Sequence, residues 1–197
     1  MKTTSADQTL VFDDELIAKY DQSGPRYTSY PTAVQFHDGF GPAEYRAAAQ
    51  ASNAAGNPLS LYFHLPFCDT VCFYCACNKI ATKDRTRAQP YLDRVHRELA
   101  LQSALFDDGR PVEQLHWGGG TPTALEPDDL ERMMEKVASR FDYTDDAEVA
   151  IECDPRTLSD EMIQRIGVIG FSRASFGVQE FDEKVQTGIE RVDAQHQ

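Results

Sequence analysis

The sequence predicts an α/β fold: a parallel sheet joined by crossover helices, preceded by a mostly helical N-terminal extension. Three observations predict it. From Pro58 onward, short apolar runs alternate with segments of helical periodicity. Proline and acidic residues open the helical segments, as helix starts require. Polar and metal-binding residue types gather where the apolar runs end. Strands that alternate with helices return parallel, which is the signature of a βα sheet.

The elements follow in order. A polar start leads to a short helix around Asp13–Tyr20. The stretch Gly24–Ala33 is punctuated by Pro25 and Pro31, so it is no regular helix. It reads as a surface loop, and its Arg26, Tyr27 and Tyr30 also suit a ligand-contacting segment. A helix is expected around Pro42–Ala55. Leu59–Leu65 reads as the first strand and runs straight into a cysteine-rich loop. Residues 88–105 place Tyr91, Leu92, Val95 and Leu99 on one helical face. Val112–Trp117 reads as a second strand, ending in a Gly118-Gly119-Gly120-Thr121-Pro122 loop. Pro127 opens the next helix, with Asp128, Asp129 and Glu131 in its first turn. Its apolar stripe is Leu130, Met133, Met134, Val137 and Phe141, and the methionines read as core. Ala147–Cys153, Asp160–Ile166, Arg173–Gln179 and Asp182–Ile189 continue as strand, helix, strand and helix. Four βα units are half of the eight that close a barrel of about 250 residues. Either the sheet is open and small, or the chain is the front part of a longer protein; the second is expected, because the final AQHQ does not read as a designed ending.

Composition narrows the function. The chain has 197 residues, 41% hydrophobic and 26% charged, enough for one domain with a core. A net charge of −13 argues against nonspecific nucleic-acid binding. No apolar run approaches the roughly 20 residues of a membrane span, and the start lacks a signal-peptide core. A reduced, cytoplasmic protein is expected.

Four of the five cysteines fall within residues 68–77, which scattered core cysteines would not do. Cys68, Cys72 and Cys75 have the spacing C-x3-C-x2-C. Three such thiolates suit three irons of a 4Fe–4S cube and leave the fourth iron open. A disulfide framework does not suit a chain of this size without a secretory leader. Zinc is the competitor, with Cys77 or His64 as a fourth ligand, although no second distant cysteine pair completes a usual zinc site.

Other candidates sit at successive strand ends. Consecutive glycines allow a ligand close to backbone N–H groups, or simply make a tight turn. Glu152 ends the third strand as a ligand or a salt-bridge partner. Gln179 ends the fourth and could serve a ligand or satisfy backbone. Cys153 reads as a small core residue, and His116 and Trp117 as packing or outward-facing strand residues. Together a metal loop, a glycine loop, a carboxylate and an amide at four strand ends point to one composite site.

These residues resemble the radical S-adenosylmethionine (radical SAM) superfamily and, more closely, the oxygen-independent coproporphyrinogen III oxidase family. The resemblance rests on SGPRYTSYPTA (residues 23–33), LYFHLPFCDTVCFYCACNKI (61–80), QLHWGGGTPT (114–123), IECDPRTL (151–158) and GFSRASFGVQEFD (170–182). Cys77 and the residue 24–33 segment distinguish this family from the haem-chaperone-like proteins of the same superfamily, which bind haem without decarboxylation.

The resemblance implies a partial (β/α)6 TIM-like barrel. Residues 1–57 would form the extension that contributes to the substrate and cofactor region. Residues 58–197 would be the first half of the radical SAM core, with the remaining barrel and a C-terminal domain beyond. It implies that Cys68, Cys72 and Cys75 hold a 4Fe–4S cluster. Tyr62, Gly119 and Glu152 would contact one SAM, while Gly120, Thr121, Gln179, Arg191 and Tyr74 would contact a second. Tyr74 stands where the family usually has Phe, and the sequence around Arg191 departs from the family's usual VNR-type pattern. Arg26 is a candidate for a substrate carboxylate. His64 near the cluster would serve protonation or a structural hydrogen bond. The implied reaction begins with electron transfer to SAM and a 5′-deoxyadenosyl radical. It ends with two propionates of coproporphyrinogen III converted to vinyl groups, giving protoporphyrinogen IX for haem synthesis. A reduced flavodoxin- or ferredoxin-type donor and a monomeric full-length protein are implied.

Overall fold

The structure is a computed structural model that describes residues 13–22 and 32–192. The chain divides into two compact units, 1–41 and 42–197. In the first, α1 (Asp14–Tyr20) is capped by Asp13, whose carboxylate accepts the Leu16 N–H at 2.9 Å. A 3-10 turn spans Ala33–Gln35.

The second unit begins with α2 (Pro42–Ala55). Its last turn is tied to the segment after α3 (Gln89–Ser103) through Asn53, which donates to the Leu105 carbonyl at 3.1 Å and to Asp107 at 3.0 Å. Arg110 donates back to Ser52 and Asn53. These bonds join α2 to the sheet within the second unit.

Four parallel strands form the main sheet: β1 (Leu59–Leu65), β4 (Val112–Gly119), β5 (Tyr143–Cys153) and β6 (Arg173–Phe176), in the order β1-β4-β5-β6. A small parallel pair, β2 (Phe67–Cys68) and β3 (Ile80–Ala81), brackets the cysteine loop. Because all four long strands run the same way, their C-terminal ends share one edge of the sheet. The helices α4 (Pro127–Ala138) and α5 (Asp160–Ile169) follow β4 and β5, and α6 (Glu183–Gly188) follows β6.

The core lies between sheet and helices. Leu65, Leu115, Trp117 and Ile151 are fully buried on the strands, and Leu130, Met133 and Val137 on α4. The predicted methionine stripe is therefore core. Trp117 meets Phe171 edge to face at 4.9 Å. Each such side chain contributes about 1.5–3 kcal/mol by leaving water. Ser159 caps α5 by accepting the Met162 N–H, and Gly170 closes it in the left-handed conformation.

Three strand boundaries differ from expectation. β4 runs on through Gly118 and Gly119, because His64 and Leu65 of β1 remain available to pair with them. Two of the three glycines are thus strand rather than loop. β5 starts at Tyr143, ahead of the expected Ala147. β6 stops at Phe176 because Phe176 pairs with Cys153, the last residue of β5, and the ladder has nothing further to pair with. Gln179 consequently lies beyond the strand. The β2–β3 pair carries no periodicity in two-residue strands and left no sequence signal. Among the described residues, no helix is long and apolar enough to cross a membrane.

Candidate active site

Pro66 ends β1 and turns the chain into the cysteine loop. The loop is closed at its base by backbone bonds from Ile80 to the Pro66 carbonyl (2.7 Å) and from Thr82 to the Cys68 carbonyl (2.8 Å). A turn bond from Cys75 N–H to the Cys72 carbonyl at 3.0 Å brings those two cysteines to one side. Cys68, Cys72 and Cys75 line a cavity of about 280 Å³, together with Tyr74 from the loop and Gly120, Thr121 and Arg191 from elsewhere.

The cysteine surroundings are polar and largely cationic. The Thr121 hydroxyl lies 3.5 Å from Cys68 Sγ. Arg156 and Arg191 direct N–H groups at Cys72 Sγ, at 3.5 and 3.7 Å. Lys79 donates to the Cys75 carbonyl at 3.0 Å. Burial pushes the Cys68 thiol up. Burial also raises Cys75, but hydrogen bonds from Cys77 and the nearby Lys79 charge carry it below the ordinary thiol value. Cys77 is largely exposed, and the partial loss of water around its thiol, with the neighbouring Cys75, raises it.

The donor set fits an iron–sulfur cube. Three thiolates come from one loop into one cavity, with N–H and cationic groups facing the sulfurs. A cube takes each thiolate on a separate iron. Among the described residues no three His, Cys, Asp or Glu side chains converge on one point, as a single zinc would need.

The three glycines have three different reasons. A Cβ on Gly118 would stand 2.9 Å from the Glu152 carboxyl carbon. Gly119 has φ 117°, and a Cβ there would meet the His64 ring at 2.7 Å. A Cβ on Gly120 would stand 2.6 Å from the Pro66 backbone. Gly120 and Thr121 N–H groups already bond the Leu65 and Phe67 carbonyls, at 2.9 and 2.7 Å. The triplet is therefore packed against the β1–β2 link on one side and Glu152 on the other.

Glu152 sits at the lip of the sheet. One oxygen accepts the Gly119 N–H at 3.2 Å, and the other lies 3.2 Å from His116 Nε2. The His116 ring stacks on Tyr62, centroids 5.8 Å apart and planes 13° from parallel. Burial and the Glu152 charge push the Tyr62 phenol up, so it remains a proton donor. It donates to His64 Nδ1 at 3.1 Å, while His64 Nε2–H donates to the Asn78 carbonyl at 2.9 Å. A carbonyl only accepts, which fixes that tautomer. Both His64 nitrogens are thus engaged, in keeping with the structural of its two readings. A carboxylate at this position can pair with an ammonium group, and the cationic groups of the neighbouring cavity with a carboxylate.

The buried Asp154 and Arg191 and the partly exposed Arg156 form a knot against Cys72 in the cavity wall. Arg156 chelates Asp154, and Arg191 lies 3.5 Å from the same carboxylate. Asp154 would be raised by burial, yet the Arg156 hydrogen bonds hold it below the ordinary range. Tyr74 is pushed up to about 12, first by burial. Arg191 also donates to the Gly177 carbonyl. A Cβ on Gly177 would stand 3.0 Å from the Gln179 amide and 3.3 Å from the Arg191 guanidinium, so both side chains pack against Gly177.

Most of the predicted residues fall into two neighbouring groups, with Gln179, against Gly177, in neither. Cys68, Cys72, Cys75, Tyr74, Gly120, Thr121 and Arg191 share the cavity. Tyr62, His64, Gly119 and Glu152 are linked beside it through His116. Arg26 and most of residues 23–33 lie outside the described residues. Sequence reasoning missed Asp154, Arg156 and the Glu152 contact of His116. The run Asp154-Pro155-Arg156, directly after a strand end, was the available signal for the first two. For His116 it was strand alternation, which puts His116 and Gly118 on the same face. Cys153 is buried and held up to about 11 by burial, as a core residue should be.

Residues 62–195 match the Radical SAM superfamily. The oxygen-independent coproporphyrinogen III oxidase of Pseudomonas aeruginosa is 48% identical over 93% of this chain and 40% of its own length. A protein of the same name from Mannheimia haemolytica is 46% identical over 74% of this chain and 98% of its own length. The solved structure of coproporphyrinogen III oxidase from Escherichia coli, described as a radical SAM enzyme, matches with a TM-score of 0.81 at 40% identity, over 92% of this chain and 40% of that one. The chain thus spans about 40% of the length of the P. aeruginosa and E. coli relatives. The matched residues 62–195 include the cysteine loop, the glycine triplet and Glu152, and the chain belongs to the radical SAM superfamily, in the family of the oxygen-independent coproporphyrinogen III oxidases.

Proposed function

We propose that this chain is the radical-generating portion of an enzyme that oxidatively decarboxylates two propionates of coproporphyrinogen III. One observation carries the proposal. The cavity joins the three cysteines to Gly120, Thr121 and Arg191, which come from after β1, β4 and α6. A 4Fe–4S cluster with SAM on its open iron supplies chemistry that removes a hydrogen atom from an unactivated carbon.

The chain's own residues hold and orient. Cys68, Cys72 and Cys75 bind the cluster. Glu152, the Gly119 backbone and Tyr62 receive the amino-acid end of one SAM, with His116 fixing the carboxylate. Gly120, Thr121, Tyr74, Gln179 and Arg191 serve a second SAM. The Arg191 guanidinium, held at the cavity wall by Asp154 and the Gly177 carbonyl, supports this. Arg26 pairs with a substrate carboxylate. His64, with both ring nitrogens bonded, orients Tyr62 and walls Gly119 rather than moving protons. A flavodoxin- or ferredoxin-type donor supplies the electron, and the full-length protein works as a monomer.

The test is a chimera in which this chain replaces the matched segment of the E. coli relative. Coproporphyrinogen III turnover with carbon dioxide release is expected, lost in Cys68→Ser. Stable haem binding without decarboxylation would point to a haem chaperone instead.

A further inference from the structure

Asp154 is the first residue past β5, and its carboxylate is buried. Arg156 donates to it from Nε at 3.0 and 3.1 Å, from Nη2 at 2.5 Å and from its backbone N–H at 3.0 Å. Arg191 Nη2 lies 3.5 Å from the same group. Both guanidinium groups then reach one sulfur: Arg156 Nη2 is 3.5 Å and Arg191 Nη1 3.7 Å from Cys72 Sγ. Each is steadied by a carbonyl besides, Glu190 for Arg156 at 3.3 Å and Gly177 for Arg191. The other two cysteines are served differently. Cys68 meets a neutral hydroxyl at 3.5 Å, and Cys75 lies beside one lysine, which is bonded to its carbonyl. The three thiols of one loop therefore face unequal fields.

We infer that Asp154 and Arg156 are positioning residues that hold two cationic donors on Cys72 Sγ and thereby raise the reduction potential of the cluster at that corner. The inference rests on the cluster reading proposed above. Reduction adds negative charge to the cube. Charged donors on a ligand sulfur favour the reduced form, and hydrogen bonds to the sulfurs are among the factors that set such potentials. Arginine suits the task because its planar fork can bind the carboxylate and still present an N–H elsewhere. Asp154 fixes the direction of both forks.

The test uses the reconstituted chain and its Arg156→Gln, Arg156→Lys and Asp154→Asn variants. In EPR-monitored redox titration, Arg156→Gln lowers the midpoint and Arg156→Lys falls between it and the wild type. A second readout needs no cluster. In the apo chain, alkylation of Cys72 by iodoacetate and by iodoacetamide is compared by peptide mass spectrometry, with Cys77 as internal reference. Cationic donors favour the anionic reagent, so its advantage at Cys72 falls several-fold in Arg156→Gln and stays unchanged at Cys77. A lowered midpoint together with a fall in the alkylation ratio at Cys72 supports the inference; an unchanged midpoint or an unchanged ratio overturns it. Should Arg156→Gln not fold, the Lys and Asn variants decide by the same readouts. A wild-type chain that takes up no cluster defeats the proposed function and with it the effect on potential, while an alkylation ratio that still falls in Arg156→Gln keeps the placement of cationic donors on Cys72 and so separates the two failures.

Discussion

Glu152 and His116 meet across neighbouring strands, Oε1 to Nε2 at 3.2 Å, with the other Glu152 oxygen on the Gly119 N–H. The carboxylate is thereby held at the strand edge with its charge facing the Gly118–Gly120 segment. In the reconstituted chain, Glu152→Gln weakens SAM binding about tenfold or more, the cost of losing a charge-assisted bond. Gly118→Ala acts on the same group, since its Cβ would stand 2.9 Å from the Glu152 carboxyl. That carboxyl is the movable end of a side chain, so the fold survives while affinity falls. Isothermal titration with SAM, beside thermal unfolding, reads both.

Gly120→Ala behaves differently. Its Cβ would stand 2.6 Å from the Pro66 backbone, which cannot swing away. A loss of about 1–3 kcal/mol of stability is expected from overpacking alone. Urea unfolding checks it, and the cost exceeds that of Gly118→Ala.

His96 links stability to pH. Burial lowers its pKa from 6.5, assisted by the Lys136 charge, and its Nε2 is buried without a hydrogen-bond partner. The unfolded chain therefore takes up this proton first. The His96 contribution is fully present above about pH 6.5 and is lost as pH falls through the lowered folded value. His96→Gln flattens the fall in stability below pH 6.5, as denaturation midpoints at a series of pH values would show.

β6 presents an edge. Among the described residues it pairs with β5 alone, and all four of its residues are exposed. An edge of this kind templates pairing with other chains. The 197-residue chain is expected to be poorly soluble, to self-associate with rising concentration, and to show no decarboxylation alone. Ala174→Lys reduces the association in sedimentation velocity.

The sheet, its parallel sense and the cysteine loop were legible in the sequence because alternation and spacing are local. Met133 and Met134 fell where the apolar pattern put them, and Trp117, read as either packing or outward-facing, is core. The ends of strands were less legible. Gly118 and Gly119 read as loop, yet β1 offered them partners. Gln179 read as strand, yet β5 ended before it. The Asp154 knot was hidden for a similar reason. It depends on Arg191 arriving from beyond α6 to meet Cys72, a contact across much of the chain that no short window contains.

The cluster is the central claim, and EPR tests it most directly. Anaerobic reconstitution of this chain with iron and sulfide should give a brown protein whose reduced 4Fe–4S signal changes when SAM is added. A colourless protein holding one tightly bound zinc, with no response to SAM, would contradict the account.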